Sequence, residues 1–471
     1  MKLGLLTGGS EDAFVTGFAI DHRKVAPGTV FGAFEGARVN GEDFIPDAVR
    51  SGAVAVVARP GATVEGAVHI ASDNPREAFA RLAAKFFAPF PETAVAVTGT
   101  NGKTSTVEMT RQLWRMAGHH AASIGTLGVT TADERVTTGL TTPDIVTFLS
   151  NVAGLAREGV SHVAFEASSH GLTQYRTEGL AVRAAAFTNL SRDHLDYHGD
   201  MAAYFCAKLR LFADVLDADG TAVVWADDPH APRVEELARM RGNRLITVGE
   251  HGTTLKLVAR TPTLLGQGLV IQAGGAEHKV TLPLIGAYQA ANALVAAGLV
   301  IATGGDVAAT LASLARLQPV RGRLERAVIT AKGAPVYVDY AHTPDAIDAA
   351  IAALKPHAEG RLILVLGAGG DRDPGKRAPM GRAAAAGADV VIVTDDNPRG
   401  EDPAAIRREI LEGAPEAREI GDRRAAIAAA IGEAGAGDIV LLAGKGHEQG
   451  QIVGDLVLPF DDVAVARECA A

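Results

Sequence analysis

The sequence is short of cysteine and of net positive charge. Among 471 residues only Cys206 and Cys469 are cysteines, too few for a disulfide framework and at no metal-ligand spacing. A reducing, cytoplasmic compartment is therefore expected. The formal net charge of −10 argues against binding to nucleic acid or to an anionic membrane, so any anionic ligand has to be held by local basic groups.

Long hydrophobic runs are also lacking. Residues 280–305 carry no charge, but Pro283, Gly286, Gln289 and Asn292 interrupt them, and a membrane-spanning helix needs about 20 predominantly apolar residues. We expect a buried helix there instead. The N-terminal residues MKLGLLTGGSEDAF lack the long apolar core of a signal peptide.

The chain is instead rich in alternating strand-like and helix-like segments, which predict an α/β fold. Residues 1–88 are expected to form a small α/β domain, followed by a proline-containing linker near Pro89 and Pro91. Residues 89–318 have the alternation of a doubly wound parallel sheet. Residues 319–471 predict a second, Rossmann-like sheet.

The most informative stretch is AVAVTGTNGKTSTV, which starts at Ala94. A strand pattern, a glycine-rich loop and a helix pattern follow one another. The two glycines of Gly99-x-x-Gly102-Lys103-Thr104 allow several N–H groups to face one anion, and Lys103 adds a positive charge. The Thr104 hydroxyl can join a magnesium ion. A glycine turn with a solvated lysine is the alternative.

Other polar motifs follow predicted strands, where ligands of open α/β sheets bind. The first is Thr141-Thr142-Pro143-Asp144, which also fits a simple helix cap. The second, FEASSHG, carries Glu166, placed to hold magnesium or to pair with an arginine. The third, NLSRDHLDYH, is a dense polar run that ends at His198. Serine hydrolase chemistry is discounted because no G-x-S-x-G elbow is present.

Taken in order, the motifs resemble the Mur ligase family over nearly the whole chain. The motifs are GTNGKT, TTPD, FEASSHGL, NLSRDHLDYHGD, a lysine at 208, GAYQAANALVAA, GRLE, VDYAHTPDA, GAGGDRDPGKR, DDNPRGEDP and AGKGHE. The resemblance implies a UDP-sugar-binding N-terminal domain, a central ATP-binding domain and a C-terminal amino-acid-binding domain. It is closest to the branch that adds meso-diaminopimelate to UDP-N-acetylmuramoyl-L-alanyl-D-glutamate through an acyl phosphate, and it implies a cytoplasmic monomer that makes peptidoglycan.

The resemblance also implies residue roles in the phosphoryl step. Lys103, Glu166, His194 and Lys208 would be catalytic, and magnesium would be held by Thr104, Glu166, His194 and a carbamylated Lys208. An unmodified ammonium at Lys208 would repel the ion, whereas carbon dioxide would convert it to an anionic carbamate. ATP would be held by Gly99, Thr100, Asn101, Gly102, Lys103, Thr104, Ser105, Asn292, Arg323 and Asp339.

The remaining roles concern the two other substrates. The muramyl peptide would contact Thr141, Thr142, Ser168, Gln174 and Arg176, and the uridine end would contact His22, Ala37, Arg38 and Val39. Diaminopimelate would be held by Arg372, Asp396, Asn397, Pro398, Arg399, Gly444 and Glu448, with Arg399 as the clamp on its extra carboxylate. The chain departs from the family pattern at His22, where a serine is common, and at Leu140, where an asparagine is common.

Four other functions stay open at this point. The same ligase could use L-lysine, and folylpolyglutamate synthase shares the ATPase core. A phosphate-loop switch protein needs only residues 99–104. An inactive paralogue with a structural role is the last. The DNPR motif argues against the use of L-lysine, and the N-terminal domain with the DNPR and GKGHE motifs argues against the synthase.

Overall fold

The computed structural model describes residues 1–36, 39–132, 134–136, 139–263, 265–371 and 373–471. The predicted substrate residues Ala37, Arg38 and Arg372 lie outside them. The chain divides into two compact units. The first comprises Met1–Lys256 and Leu294–Thr310, and the second Leu257–Ala293 and Leu311–Ala471. The two boundaries drawn from the sequence between three domains stay a prediction.

The first unit begins with a small parallel sheet covered by helices. Its elements are α1 (Leu3–Thr7), β1 (Gly17–Ala19), β2 (Thr29–Gly32), α2 (Ile45–Arg50), β3 (Ala53–Ala58), β4 (Val68–Ala71) and α3 (Pro75–Phe87). The strands pair in the order β1-β2-β3-β4. Asn74 caps α3 and Pro75 occupies its first turn, as their conformational preferences favour. These two residues mark the start of a helix that ends at Phe87.

A larger sheet follows in the first unit. Its elements are β5 (Thr93–Thr98), α4 (Lys103–Met116), β6 (Ala121–Gly125), β7 (Gly128–Thr130), β8 (Arg135–Val136), α5 (Ile145–Arg157), β9 (His162–Glu166), α6 (Ser169–Thr173), β10 (Val182–Phe187), α7 (Leu195–His198), α8 (Met201–Arg210), β11 (Leu216–Trp225), α9 (Ala231–Arg241) and β12 (Arg244–Gly249).

Strands β12-β11-β10-β5-β9-β6 run parallel in that order, and β7 and β8 extend the sheet antiparallel. Residues 94–98 of β5 are all buried, because both faces of a parallel sheet are covered. The central position of β5 between β9 and β10 brings three carboxyl ends together. The phosphate loop, Glu166 and the segment after Phe187 therefore share one edge.

The rest of the chain, in its described residues, contains three more strands and two helices, and then a second α/β arrangement. Its elements are β13 (Leu255–Thr263), β14 (Gly266–Ala273), β15 (Ala276–Leu282), α10 (Ala287–Ala302), α11 (Val307–Ser313), β16 (Glu325–Ile329), β17 (Pro335–Asp339), α12 (Pro344–Leu354), β18 (Leu362–Leu366), α13 (Arg377–Gly387), β19 (Val390–Val393), α14 (Pro403–Leu411), β20 (Arg418–Glu419), α15 (Arg423–Glu433), β21 (Ile439–Ala443), β22 (Gly450–Val453), β23 (Leu456–Pro459) and α16 (Asp462–Ala470).

In the second unit the strand order is β16-β17-β21-β18-β19-β20, parallel except for β16. Helices α12, α13 and α14 pack on one face and α15 and α16 on the other. This is the doubly wound arrangement expected for the C-terminal segment, and the α/β class is confirmed. Strands β22 and β23 form a separate antiparallel hairpin.

One expectation needs correction. The uncharged run from Val280 to Gly305 was expected to be a helix, but Val280 to Leu282 end strand β15 and the helix starts only at Ala287. Pro283 and Gly286 separate the two elements, because proline and glycine both disfavour a helix interior. Within the described residues, no helix combines the length and the apolar character needed to span a bilayer.

Candidate active site

The phosphate loop connects β5 to α4 through two glycines with positive φ. Gly99 has φ 147° and Gly102 has φ 86°, conformations that glycine adopts most readily. A Cβ at Gly99 would lie 1.9 Å from Thr188 Oγ1. The Lys103 ammonium donates to the carbonyls of Gly99 at 2.9 Å and Thr100 at 2.8 Å. The loop therefore curls around its own lysine, as the strand, loop and helix pattern predicts.

The segment after β10 holds this loop in place. Thr188 Oγ1 donates to the Asn101 carbonyl at 2.7 Å, and the Asn101 N–H donates to Asn189 Oδ1 at 2.9 Å. The Ser191 N–H donates to Thr100 Oγ1 at 3.0 Å. These bonds pin the backbone from both sides. The predicted polar run NLSRDHLDYH thus has a role as a clamp on the phosphate loop.

Lys208 lies on α8 and is fully buried, with 1% of its surface exposed. Its Nζ donates to the Gly99 carbonyl at 2.7 Å and lies 4.3 Å from the centre of the Tyr204 ring. Burial, reinforced by the charge of Lys103, holds the pKa of Lys208 well below its usual range. A depressed pKa favours the neutral amine, which is the form that reacts with carbon dioxide.

Glu166 ends β9 and is buried, with 2% exposed. Its Oε1 accepts from the Thr126 N–H at 2.7 Å and its Oε2 from Thr126 Oγ1 at 3.3 Å. No arginine or lysine pairs with it among the described residues, so the alternative of a structural glutamate–arginine pair is not supported there. A Cβ at Gly125 would lie 2.2 Å from Oε1, which explains the glycine at that position.

His194 has a left-handed backbone, with φ 53°. Its Nε2 lies 3.4 Å from Asp193 Oδ2, and its ring centre lies 4.8 Å from that of His170. Burial lowers the pKa of His194, and it lowers that of His170 to about 4. A neutral imidazole at His194 can act as an acceptor or a metal ligand.

The predicted magnesium ligands are one hydroxyl, one carboxylate, one imidazole and one lysine. Within the described part of the chain, no group of three or more histidine, cysteine, aspartate or glutamate side chains is arranged to hold a metal ion. The magnesium roles of Thr104, Glu166, His194 and Lys208 therefore stay a prediction. Thr104 itself is buried in the first turn of α4.

The residues predicted for the muramyl peptide do come together. Thr142 Oγ1 donates to the Glu166 carbonyl at 2.8 Å and accepts from the Ser168 N–H at 3.1 Å. The Arg176 guanidinium donates to the Thr142 carbonyl at 2.9 Å and to Gln174 Oε1 at 2.7 Å. Thr141 Oγ1 lies 3.1 Å from Thr126 Oγ1.

The helix-cap interpretation of the TTPD motif is also correct in part. The Asp144 carboxylate accepts from the N–H groups of Val146 and Thr147 at the start of α5, as an N-cap does. The paired threonines serve the polar cluster, and the aspartate serves the helix.

His22 and Val39, the described residues predicted for uridine, lie in segments between strands of the small sheet. The His22 ring stacks on Phe44 with the ring centres 4.3 Å apart and the planes at 4°. Asp21 and Arg23 form an ion pair at 2.8 Å beside it. Val39 is exposed. A stacked, flat ring pair presents an apolar surface on which a base could lie.

In the second unit, the residues predicted to hold the nucleotide are linked by hydrogen bonds. Asn292 Nδ2 donates to Gln289 Oε1 at 3.2 Å, and Gln289 Nε2 donates to the Arg323 carbonyl at 2.9 Å. Asp339 accepts from the Leu324 N–H at 2.7 Å. Burial raises the pKa of Asp339 to about 6. The asparagine, arginine and aspartate are therefore within one network.

The DNPR and GKGHE motifs meet at the carboxyl ends of β19 and β21. Asn397 Nδ2 donates to Glu448 Oε2 at 2.7 Å. Arg399 has φ 51° and its guanidinium donates to the Gly370 carbonyl at 2.8 Å. A Cβ at Gly370 would lie 1.9 Å from the Pro398 carbonyl oxygen, and one at Gly444 would lie 2.6 Å from Asp396 Oδ2. The motifs predicted to bind one amino acid are thus packed against each other.

Comparison with known proteins agrees with this assembly. Models of the Mur ligase middle domain, the Mur ligase glutamate ligase domain and the Mur ligase family catalytic domain match residues 97–300, 322–446 and 14–87. A UDP-N-acetylmuramoyl-L-alanyl-D-glutamate–2,6-diaminopimelate ligase from Zymomonas mobilis is 61% identical over 99% of this chain and 98% of its own. The chain belongs to the Mur ligase family.

Two further relatives extend this finding. A protein of the same name from Caulobacter vibrioides is 51% identical over 96% of this chain and 95% of its own length. A solved structure with that name is 32% identical, has a TM-score of 0.76 and covers 100% of this chain and 98% of its own. The resemblance to Mur ligases inferred from the motifs is confirmed.

In this Mur ligase, sequence reasoning missed residues that support the site from behind. Lys445 is fully buried beside Asp396 and Glu448. Arg423 is fully buried and donates to the carbonyls of Ala443 and Asp395, which precede the two motifs. Lys445 lies inside the GKGHE motif, but the sequence does not distinguish a buried lysine from a solvated one. Arg423 has no motif to signal it.

Proposed function

We propose that this chain is an ATP-dependent ligase that joins meso-diaminopimelate to the D-glutamate γ-carboxylate of UDP-N-acetylmuramoyl-L-alanyl-D-glutamate in peptidoglycan synthesis. The observation that carries the proposal is the hydrogen bond from Asn397 to Glu448 at 2.7 Å. It joins the motif that supplies a guanidinium, Arg399, to the motif that supplies a carboxylate. Such a pair complements an amino acid with both a carboxylate and an ammonium.

The phosphoryl step asks mainly for positioning and charge neutralisation. Lys103 and the backbone amides from Gly99 to Ser105 hold the ATP phosphates, and the ammonium leaves its loop carbonyls to do so. Asn292, Arg323 and Asp339 are the further residues in this proposal for nucleotide binding. The γ-carboxylate takes the γ-phosphoryl group of ATP to form an acyl phosphate, and ADP leaves. The amine of diaminopimelate then displaces phosphate and loses a proton to form the amide.

Magnesium fits the oxygen-rich donors at the edge of the first unit's sheet. Glu166 is a buried carboxylate with no cationic partner among the described residues, and the Thr104 hydroxyl lies at the start of α4. Hard oxygen ligands of this kind suit Mg²⁺. When bound, the ion would neutralise charge on the transferred phosphoryl group. His194 is a further ligand in this proposal.

The proposal assigns a carbamate to Lys208. The neutral amine attacks the carbon of carbon dioxide, a C–N bond forms and one proton is released to solvent. The product carries an anionic oxygen in place of an ammonium. The burial of Lys208 and the nearby charge of Lys103 favour the neutral amine that this reaction needs.

Acceptor choice depends on Arg399 in this proposal. L-Lysine lacks the second carboxylate of diaminopimelate and would leave the guanidinium without a partner in a closed site. A site built around such a polar group rejects the analogue lacking it by a factor on the order of 10⁴.

The muramyl peptide is positioned in this proposal by Thr141, Thr142, Ser168, Gln174 and Arg176. The low cysteine content and the negative net charge support a cytoplasmic location. We also propose that the chain acts as a monomer.

The test is phosphate release from ATP with UDP-N-acetylmuramoyl-L-alanyl-D-glutamate and either meso-diaminopimelate or L-lysine as acceptor. Release with diaminopimelate alone, with the tripeptide product found by mass, is the expected result. Equal use of lysine would overturn the acceptor assignment. ATP turnover that ignores both substrates would indicate a phosphate-loop switch, and no turnover at all would favour a folate-type relative or an inactive paralogue.

A further inference from the structure

Lys445, the lysine of the GKGHE motif, is completely buried, with none of its side chain exposed. Its Nζ donates to Asn397 Oδ1 at 3.0 Å, and it lies 3.4 Å from Asp396 Oδ1 and 3.6 Å from Glu448 Oε2. A buried ammonium needs partners for all three of its protons. Here the partners are side chains of the motifs proposed to bind diaminopimelate.

The contacts of Asn397 show what this ammonium does. Asn397 Oδ1 accepts from Lys445 Nζ and from the Ile452 N–H at 3.0 Å. Both of these groups are donors only, so the carbonyl end of the amide has to face them. The NH₂ end is thereby directed to Glu448, to which it donates at 2.7 Å. Lys445 and the Ile452 N–H together therefore determine which way the Asn397 amide points.

The same cation lies close to two acids, the buried Asp396 and the partly exposed Glu448. Asp396 and Glu448 are close enough to repel each other, and burial together with that repulsion raises the pKa of Glu448, whereas Lys445, Asn397 and Arg399 act to lower it. Without Lys445 the repulsion would be less compensated, and Glu448 would take up a proton more easily. A neutral glutamic acid binds an ammonium group less well than a carboxylate does.

We propose that Lys445 is a positioning residue for amino-acid recognition: through Asn397 it fixes the Glu448 carboxylate that receives the ammonium group of the incoming amino acid. This inference rests on the proposed ligase function. Lys445 does not itself contact the reacting atoms. Removal of the Lys445 ammonium should therefore weaken binding of the amino acid and leave binding of the nucleotide and of the muramyl peptide unchanged.

The test compares Lys445→Met, which keeps the length and loses the charge, with wild type and with Lys332→Met. Lys332 is an exposed lysine in the same unit that donates to a backbone carbonyl, that of Gly432, at 2.6 Å, so it is a matched control for loss of one ammonium. Steady-state KM is measured for each of the three substrates, with kcat and thermal unfolding. Wild-type turnover with diaminopimelate is scored first, because its absence would refute the ligase function and not the role of Lys445.

We expect KM for diaminopimelate to rise by about tenfold or more in Lys445→Met, the effect of losing a hydrogen bond to a charged group. KM for ATP and for the muramyl peptide should stay within about twofold, and Lys332→Met should resemble wild type. An equal rise of all three KM values, or an unchanged KM for diaminopimelate in a folded variant, would overturn the proposal.

A second variant covers the case in which Lys445→Met does not fold. Lys445→Gln loses the charge but keeps a donor that can reach toward Asn397 Oδ1. It should show the same effect on KM for diaminopimelate alone, with a smaller magnitude because the amide orientation is retained. If neither variant folds, the role of Lys445 is purely structural and the proposal is wrong.

Discussion

Lys103 and Lys208 donate to the same oxygen, the carbonyl of Gly99, at 2.9 and 2.7 Å. Two ammonium groups on one carbonyl repel each other, and the buried one is the more easily deprotonated. This relationship gives the carbamate hypothesis a physical basis, because Lys208, the lysine that must lose its proton, is the one buried away from solvent.

Lys208→Met should lower kcat by about 10²–10³, the usual effect of removing one electrostatic element of an active site. Lys85→Met is the matched control, because Lys85 also donates to a backbone carbonyl in the first unit, that of Leu6 at 3.0 Å. Removal of carbon dioxide should reduce wild-type activity, and bicarbonate should restore it. A carbamate ¹³C resonance should appear with labelled bicarbonate in wild type and be missing in Lys208→Met. Normal activity of the variant, with no response to carbon dioxide, would contradict the hypothesis.

Arg399→Ala should raise KM for diaminopimelate by about 10²-fold or more, since a buried charge pair loses one partner. ATP binding should be unchanged, which isothermal titration of the nucleotide can check. Discrimination against L-lysine should fall in the same variant, because the guanidinium that penalises lysine is gone. Loss of ATP binding would mean that Arg399 serves the nucleotide instead.

Gly370→Ala should disturb the DNPR loop, because the new Cβ would meet the Pro398 carbonyl oxygen at 1.9 Å and backbone cannot move aside cheaply. We expect KM for diaminopimelate to rise by about tenfold. Gly432→Ala is the control: its Cβ has nothing within 4 Å, and alanine in helix α15 should be neutral or stabilise by up to about 1 kcal/mol. Equal kinetics for the two variants would show that the loop tolerates the displacement.

Arg423 and Asp462 form an ion pair at 2.6 Å with neither side chain exposed. Arg423→Met should lower the free energy of unfolding by about 3–5 kcal/mol, because it leaves Asp462 buried and uncompensated. The double variant Arg423→Met with Asp462→Leu should be more stable than the single one. Urea denaturation measures both, and a double variant less stable than Arg423→Met would contradict the charge argument.

The Asp339 carboxyl group should make the free energy of unfolding depend on pH. Its pKa is raised by burial from 3.8 to about 6, so the folded state holds the proton more tightly than the unfolded state. Asp339 therefore costs stability as pH rises from about 4 to about 6, by about 3 kcal/mol in all. Relative to Asp339→Asn, wild type should lose stability over that interval and not change above it. A constant difference between pH 4 and 7 would show that the carboxyl is not desolvated.

The elements that carry the site were readable from the sequence because their signals are local. The strand and helix on either side of the phosphate loop follow from apolar alternation and two glycines. Asn74 and Pro75 mark the start of α3. The end of β15 was misassigned because an uncharged run fits a buried strand as well as a buried helix. Burial of a charged residue depends on tertiary packing, which local patterns do not report.

The site residues divide along the same line. Thr142, Ser168 and Arg176 were assigned by resemblance, and the structure gathers them through bonds to backbone that no sequence pattern encodes. Lys445 and Arg423 went unnoticed because their importance lies in what encloses them. The residue types in the motifs predicted which groups bind the substrates. Tertiary packing determines which buried charges hold those groups in place.

The backbone at Arg399 is tied to the β22–β23 hairpin in both directions: its N–H donates to the Ile452 carbonyl at 3.0 Å, and its carbonyl accepts from the Gly454 N–H at 2.7 Å. The DNPR loop and the hairpin are therefore held together by backbone hydrogen bonds, although they are distant in sequence. A chimera that imported only the tetrapeptide from a ligase with a different acceptor would join a new loop to the old parent's hairpin. A change of acceptor should therefore need matched changes in the loop and in the hairpin.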